Sequence, residues 1–273
     1  KDSKDSIVAP DSLKSIGDYT IKIAGAGDYK GSHTLNFRIV NGEVLNGYAF
    51  ETGTDDEGTF YMISSAEDFE SLAAYVNSTD NVSSGKRFVQ MNNITVSTMV
   101  GPNEQNSFQG IYDGGNNTLT LAISASQNVA GPFHDIKNAT IKNLKIDGTL
   151  TNSGKQNGGV AGYSYGTVNI SNCVVSASIN CGFTGDSSNG GFIAHIQNGS
   201  VTFNDCVFNG RLLGETATCS GGFVGWRDNK NIVITYNNCL FAPTEVTMSA
   251  EGSATFNRNK TDNNKYNRCY YHS

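Results

Sequence analysis

The sequence contains no long apolar segment and no concentration of positive charge. No run reaches the roughly 18 apolar residues of a transmembrane helix, and the first ten residues, KDSKDSIVAP, include no apolar stretch typical of a secretion signal. Lysine and arginine number 19 against 25 acidic residues, which gives a net charge of −6 without any basic cluster. We therefore expect no membrane insertion and no nucleic-acid partner, because a polyanion requires a basic face.

Signatures of catalysis and of metal binding are also missing. The four histidines form no H-E-x-x-H pair, no serine lies in G-x-S-x-G, and the six cysteines show no C-x-x-C spacing. These patterns are typical of zinc peptidases, of serine hydrolases, and of zinc or redox sites. We predict a protein that holds no metal and no cofactor.

Glycine, in contrast, is abundant, and part of it belongs to a repeat. The chain has 31 glycines and only 4 prolines, which suits many turns between short strands. GGVAGY starts at Gly158, GGFIAH at Gly190 and GGFVGW at Gly221, so the starts are 32 and 31 residues apart. A period of this length indicates one supersecondary unit that is repeated along the chain.

Four of the six cysteines follow the same period. Cys173, Cys206 and Cys239 are 33 residues apart, Cys269 follows after 30, and Leu144 occupies the equivalent position 29 residues before Cys173. Because leucine replaces cysteine in this frame, the position is predicted to be a small buried apolar site rather than a metal ligand. An Asx residue precedes four of these positions, as expected for a tight left-handed turn in every coil: Asn143, Asn172, Asp205 and Asn238.

A repeat of about 30 residues, with short strand-like runs and no helical periodicity, predicts an all-β chain folded as a right-handed parallel β-helix. Equivalent residues would then stack about 4.8 Å apart, which is the distance between neighbouring strands. One such stack is predicted to be apolar, with the members Phe133, Val160, Phe192, Phe223 and Phe256.

One helix is predicted upstream of the repeats. Residues 64–77, SSAEDFESLAAYVN, begin with a capping box formed by Ser64 and Glu67. They also carry one apolar stripe, formed by Phe69, Leu72, Ala73 and Val76. Because an uncapped β-helix exposes an unpaired strand edge, this helix is predicted to close the N-terminal end of the solenoid.

The N-terminal region has a different pattern. Residues 17–40, GDYTIKIAGAGDYKGSHTLNFRIV, alternate apolar and polar residues in two runs around a glycine-rich turn, which predicts a β-hairpin. We therefore divide the chain into residues 1–45, the hairpin region, and residues 46–273, the parallel β-helix with its capping helix.

Two family resemblances rest on these motifs. The GG repeats, together with FQGIYDGGNNTLT at residues 108–120, resemble the GLUG-type repeats of β-helical bacterial surface proteins, including adhesins, over roughly residues 58–273. The pattern Y-T-x-x-I-x-G-x-G-x-Y-x-G in the hairpin resembles the end of a bacterial immunoglobulin-like module. The resemblances imply an exported, multi-domain protein at the cell surface of a bacterium, with this chain as one part of it, and they imply no reaction.

Three functions are compatible with this fold. We expect a monomeric, non-catalytic module for cell-surface adhesion or carbohydrate binding, with a glycan or a host surface protein as its partner. The alternatives are a purely structural spacer and a polysaccharide-active hydrolase or lyase, which needs two carboxyl groups about 5 to 10 Å apart. The predicted columns hold single acids, and the consecutive Asp55, Asp56 and Glu57 are expected to lie in a solvated loop.

The candidate ligand site lies at the end of each GG repeat. Side chains alternate along a strand, so inward-facing phenylalanines would leave the closing residues Tyr163, His195 and Trp226 facing outward. A column of exposed rings can hold the face of a sugar. Arg227 and Asp228 follow Trp226 and would add directional hydrogen bonds to hydroxyl groups. We predict these five residues as a binding platform; the alternative is a loop that covers the rings.

Overall fold

The structure is a computed structural model that describes residues 17–24, 31–39, 42–258 and 263–272. Its main body is a parallel β-solenoid of about seven turns, as the repeats predict. Each complete coil passes along three faces in the same order, here called sheets A, B and C. Successive coils stack through parallel backbone pairing.

Sheet A runs the length of the solenoid and begins with antiparallel strands. Gly42–Leu45 pairs antiparallel with Tyr48–Asp55, which in turn pairs antiparallel with Gly58–Ile63. Every later pairing in the sheet is parallel. The parallel strands are Gly58–Ile63, Arg87–Gln90, Ile111–Asp113, Thr140–Lys142, Thr167–Ser171, Ser200–Asn204, Val233–Asn237 and Asn264–Asn267.

Sheet B follows sheet A around a sharp corner. Its first strands are Ile94–Val96, Thr118–Ala125 and Lys145–Asn152. In the later coils the strand is interrupted, so that Lys145–Asn152 pairs with two short strands of the next coil. The short strands are Val174–Val175, Ser178–Cys181, Val207–Phe208, Arg211–Leu213, Leu240–Phe241, Glu245–Val246 and Tyr270–Tyr271.

Sheet C contains the strands that follow the GG motifs. Its four strands are Phe133–Lys137, Ala161–Tyr165, Ile193–Ile196 and Val224–Arg227. Two short parallel pairs lie between sheets B and C, namely Val129–Ala130 with Gln156–Asn157 and Gly185–Asp186 with Ala217–Thr218.

The first glycine of each GG motif is required by a tight fold of the backbone. Gly158, Gly190 and Gly221 form a column of isolated parallel bridges. A Cβ atom at Gly158 would lie 1.8 Å from the carbonyl oxygen of the residue three positions later, and at Gly190 the corresponding distance is 2.0 Å. Since no side chain fits at such a distance, the motif repeats because the corner of each coil has the same shape.

The corner between sheets A and B is formed by the predicted Asx column. The backbone φ angles of the four residues lie between +52° and +54°, in the left-handed region that asparagine and aspartate tolerate best after glycine. The column consists of Asn143, Asn172, Asp205 and Asn238. The prediction of one left-handed turn per coil is confirmed.

The cysteine column is part of the core. Leu144, Cys173, Cys206 and Cys239 are fully buried, as predicted, and Cys269 in the last coil is partly exposed. All six cysteines of the chain are free thiols. Each buried thiol makes a weak contact with backbone, such as the 3.2 Å between Cys206 Sγ and the carbonyl oxygen two residues earlier. The column is therefore a packing element.

The aromatic column is largely confirmed. The rings of Phe192 and Phe223 stack with centroids 4.6 Å apart and an interplanar angle of 14°, and Phe256 stacks on Phe223 at 5.0 Å. The backbone of Val160 bonds to that of Phe192 in the same frame. These residues fill the interior behind sheet C.

The prediction for Phe133 was wrong by one position. Phe133 pairs with Ala161 instead of Val160, although it is fully buried. The coil between these partners is 28 residues long, whereas the next coil, from Ala161 to Ile193, has 32. A shorter connection shifts the frame, and a fixed repeat length does not anticipate this shift.

The predicted helix is present as Ala66–Ser78, and its start differs slightly from the prediction. Ser65 is the N-cap, and its hydroxyl accepts a hydrogen bond from the Asp68 amide at 3.2 Å. The Asp68 carboxylate in turn accepts from the Ser64 amide at 2.9 Å. The capping pair is therefore Ser65 with Asp68, one residue later than Ser64 with Glu67, because the aspartate reaches back to the preceding amide.

The helix closes the N-terminal end of the solenoid. Its predicted apolar stripe is buried, together with Tyr75. The Phe69 ring lies 6.2 Å from the rings of both Tyr112 and Phe133, which belong to the first coils. Aromatic packing of this kind shields the open core from water.

The N-terminal hairpin is also present. Gly17–Ala24 pairs antiparallel with Ser32–Ile39, and its predicted turn, residues 25–30, lies outside the described residues. The predicted boundary after residue 45 falls between two strands that pair with each other, Gly42–Leu45 and Tyr48–Asp55. The sheet that continues into the solenoid therefore starts before that boundary.

The acidic turn at residues 55–57 is exposed but not merely solvated. Arg87 lies 2.5 Å from the Asp55 carboxylate and 2.6 Å from that of Glu57, and Lys142 lies 3.0 Å from Glu57. The hydrogen bonds from Lys142 and Arg87 hold the pKa of Glu57 below its usual value. These partners are distant in sequence, so consecutive acidic letters do not reveal them.

Candidate functional site

The three residues that close the GG repeats form one column on sheet C. Backbone pairing aligns Tyr163 with His195 and His195 with Trp226. Tyr163 and Trp226 are half-buried, whereas His195 is buried. The Tyr163 and His195 rings meet edge to face, with centroids 5.4 Å apart and an angle of 83°. The column is thus an interlocked cluster with exposed edges, and it is not a flat row of open rings.

Hydrogen bonds on both ring nitrogens hold His195 in place. Gln156 Nε2 lies 2.9 Å from His195 Nδ1, and His195 Nε2 lies 2.6 Å from Asp228 Oδ1. With the amide in this orientation, Gln156 donates to Nδ1 and the Nε2 proton is donated to Asp228, which describes a neutral imidazole. Burial lowers the pKa of His195 and outweighs the opposite effect of Asp228.

The Trp226 ring has a cation against one face. The guanidinium carbon of Arg258 lies 4.4 Å from the ring centroid, a distance typical of a cation–π contact. Arg258 Nη1 donates to Asp186 at 2.8 Å and to the Ser187 carbonyl oxygen at 3.4 Å. Arg258 therefore limits the open indole surface while the ring stays partly exposed.

A polar pocket opens beside this column. Its volume is about 240 Å³, and its lining combines one aromatic ring with amide, hydroxyl, carboxylate and cationic groups. The lining residues are Lys155, Gln156, Asp186, Ser188, His195, Trp226 and Arg258.

Two residues of the predicted platform have different positions. Asp228 is exposed and bonds to His195, so it belongs to the site although it does not line the pocket. Arg227 is only 1% exposed, and its Nη1 donates to the Ile232 carbonyl oxygen at 2.8 Å. Since neighbouring strand residues point to opposite sides, an outward Trp226 requires an inward Arg227. The prediction that Arg227 belongs to the platform is not supported by this placement.

A buried carboxylate occupies the next position of the same column. Asp135 pairs with Tyr163 in the register and is 1% exposed. Its Oδ1 lies 2.5 Å from His134 Nδ1. Burial, followed by the charge of Asp135, raises the pKa of Tyr165. Asp135 therefore connects the site to an inner polar cluster.

Sequence reasoning missed most of the pocket. Asp135 escaped because the alignment of that coil was off by one residue. Lys155, Asp186 and Arg258 lie in or near the connections between sheets, where no periodic pattern marks them. Only their position around Trp226 reveals them.

Two other kinds of site were looked for in the part of the chain that the structure describes. No helix there is long and apolar enough to cross a membrane. Within the same residues, no group of three or more His, Cys, Asp or Glu side chains is arranged to hold a metal ion.

The fold and the pocket define a parallel β-solenoid with one small polar site on sheet C. Solenoids of this kind occur among enzymes and non-enzymes alike. No family model, curated protein or solved structure matches the chain. The function must therefore be argued from the pocket.

Proposed function

We propose that the chain is a non-catalytic carbohydrate-binding module that holds one sugar unit in the pocket beside Trp226. The observation that carries the proposal is an indole ring set among cationic, amide, hydroxyl and carboxylate groups around a small cavity. A sugar presents a weakly apolar face and a rim of hydroxyl groups, and such a lining complements both.

The size of the pocket supports a single sugar unit. Its volume of about 240 Å³ is below the roughly 300 to 1,000 Å³ of pockets that enclose drug-sized ligands. Tyr163 lies two coils away from Trp226, about 10 Å along the solenoid axis, and its half-buried ring offers a contact for a second unit.

The carboxylates favour binding over catalysis. A glycosidase needs two carboxyl groups on either side of the scissile bond. Asp228 is exposed, but Asp135 is buried and bonded to His134, which leaves only one acid of this column in contact with solvent. This arrangement favours a binding module over the polysaccharide-active alternative.

The setting of the module is proposed from the sequence resemblances. The GLUG-type repeats and the immunoglobulin-like hairpin support a monomeric module within a larger exported bacterial protein at the cell surface. Adhesion to a glycan or to a host surface protein would be its role there. A structural spacer is the outcome expected if the pocket binds nothing.

Glycan binding can be tested directly. The full chain is applied to a glycan array, and the strongest ligands are titrated by calorimetry and by fluorescence. Trp226 is the only tryptophan of the chain, so its emission reports on this pocket alone. Trp226→Ala should weaken binding about tenfold or more, because an aromatic contact contributes on the order of 1 kcal/mol beyond its area.

A matched control separates the pocket from general effects of aromatic residues. Tyr271 is exposed in the last coil and does not line this pocket. Tyr271→Ala should bind as the parent does. Binding that is unchanged in Trp226→Ala places the site elsewhere, and an array without any bound glycan leaves the spacer function.

A further inference from the structure

We infer that the sugar unit bound in this pocket carries one negatively charged group, either a carboxylate or a sulfate. The inference rests on the proposed function and adds the chemical class of its ligand. Its basis is the charge around the pocket and two hydrogen-bond donors that the protein leaves unused.

The pocket has an excess of one positive charge. Its lining includes the cations Lys155 and Arg258 and a single carboxylate, Asp186. Arg258 lies 2.8 Å from Asp186, and this pair is neutral as a whole. Lys155 remains without a counter-charge. The excess is local, because the chain as a whole carries a net charge of −6.

Two donors at the pocket lack a partner of their own. Within the described residues, the Lys155 ammonium makes no ion pair or hydrogen bond, although it is half removed from water. The Ser188 hydroxyl makes no hydrogen bond in that part of the chain either, and Ser188 is buried. Donors withdrawn from water are stabilised by an acceptor, and a charged acceptor gives the stronger bond.

The nearest other carboxylate does not neutralise Lys155 across the pocket. Asp228 bonds to His195 Nε2, whereas Gln156, which lines the pocket, bonds to Nδ1. The imidazole ring therefore separates Asp228 from the Gln156 side. His195 is neutral and adds no positive charge.

The ligand group carries a single charge and does not belong to a dense polyanion. Lys155 is the one unpaired cation among the lining residues described here, and the sequence has no basic cluster to continue such a surface. A carboxylate or sulfate would accept from Lys155 and Ser188 while the sugar ring lies against Trp226.

Matched pairs of sugars test the inference. The full chain is titrated with glucose, glucuronic acid and glucose 6-sulfate, followed by Trp226 fluorescence and calorimetry. The charged sugars should bind about tenfold more tightly than glucose at low salt, because hydrogen bonds to charged groups are stronger. The preference should narrow as sodium chloride is added, since salt screens the attraction. The two charged sugars show which group is preferred.

Lys155→Gln supplies the decisive variant. It should remove the preference for charged sugars and leave the affinity for glucose unchanged. Lys145→Gln is the matched control, because Lys145 is an exposed lysine on sheet B and should keep the preference. Burial is the main cause of the lowered pKa of His195, and the charge of Lys155 adds to it. The pKa of His195, measured by NMR without ligand, should therefore rise in Lys155→Gln.

The outcomes are distinguishable. Equal affinity for glucose and both charged sugars overturns the inference and leaves the proposed function standing. A preference that survives Lys155→Gln overturns the assignment to this lysine. If no sugar of either kind binds, the proposed function fails and the inference fails with it.

Discussion

At the scale of single residues, side-chain amides stabilise the left-handed corner of each coil. Asn172 Nδ2 donates to the Asn143 carbonyl oxygen at 2.9 Å, and Asn238 Nδ2 donates to Asp205 at 2.9 Å. Asparagine and aspartate thus serve twice, because they tolerate the left-handed backbone and bridge adjacent coils. In the last coil, Arg268 adopts the same conformation, with a φ angle of +51°.

Removing one ring from the aromatic column should be severe. Phe223 is fully buried between Phe192 and Phe256. Phe223→Ala should lower the free energy of unfolding by about 3 to 5 kcal/mol, because it leaves a cavity. Tyr270→Ala removes an exposed ring and should change stability by less than about 0.5 kcal/mol. Urea unfolding measures both, and equal losses would contradict the burial of Phe223.

His195 should make stability depend on pH. Burial holds its pKa in the folded chain below the usual value of 6.5. The unfolded chain therefore binds a proton near pH 6.5 that the folded chain binds only at lower pH. The contribution of neutral His195 is fully present above pH 6.5 and is lost as the pH falls from there through the folded pKa.

His195→Gln provides the comparison for this pH effect. The variant keeps a hydrogen-bonding side chain but has no group that titrates in this range. Between about pH 7.5 and about pH 5, the parent should therefore lose more stability than the variant. Thermal unfolding across this range measures the difference, and parallel pH curves for the two proteins would refute the assignment.

At the scale of elements, the N-terminal end of the solenoid is closed by a helix and an antiparallel turn. The helix Ala66–Ser78 places its apolar stripe over the first coils. Tyr75 also donates from its hydroxyl to the Val82 carbonyl oxygen at 2.5 Å. Arg87 ties the turn between Tyr48–Asp55 and Gly58–Ile63 to sheet A. Both devices reduce the exposed strand edge.

The first turn of the helix allows a sharp test of its cap. Ser65→Ala removes the hydroxyl that accepts from the Asp68 amide and should lower the free energy of unfolding by about 1 kcal/mol. Ser64→Ala is the control, because only the backbone amide of Ser64 is bonded to Asp68. It should change stability by less than about 0.5 kcal/mol. A larger loss in Ser64→Ala would mean that the helix starts one residue earlier.

At the scale of the whole molecule, the two ends of the solenoid differ. The C-terminal strands Asn264–Asn267 and Tyr270–Tyr271 pair on one side only among the described residues. Tyr266, Tyr270 and Tyr271 are exposed there, and a cavity of about 410 Å³ opens beside Phe256. Each coil of a solenoid contacts mainly its neighbours, so a coil with one neighbour is held less firmly.

Hydrogen exchange should follow this gradient. Backbone amides of Asn264–Asn267 should exchange much faster than those of the equivalent strand Ser200–Asn204, which has a paired strand on both sides. The first parallel strand, Gly58–Ile63, should be protected as well, because antiparallel strands cover its outer edge. Exchange measured by mass spectrometry tests the order, and equal protection of both ends would contradict it.

Repetition made much of the fold predictable from the sequence. Coil length, the cysteine and Asx columns and the stack of Phe192 on Phe223 follow from residues that recur at about 30-residue intervals. The capping helix was visible because an apolar stripe with helical period differs from every repeat. Local periodicity is enough in these cases, because each coil is shaped by its own corners and by identical neighbours.

By itself, the sequence determined the solenoid and the outward column at Trp226, whereas the tertiary structure alone decided the pocket. Asp186 and Arg258 meet although they are 72 residues apart, and both lie near connections that vary in length from coil to coil. The one-residue error at Phe133 has the same origin. Repeats specify the strands that stack, but the loops between sheets follow no period, and their contacts depend on how the coils are stacked in space.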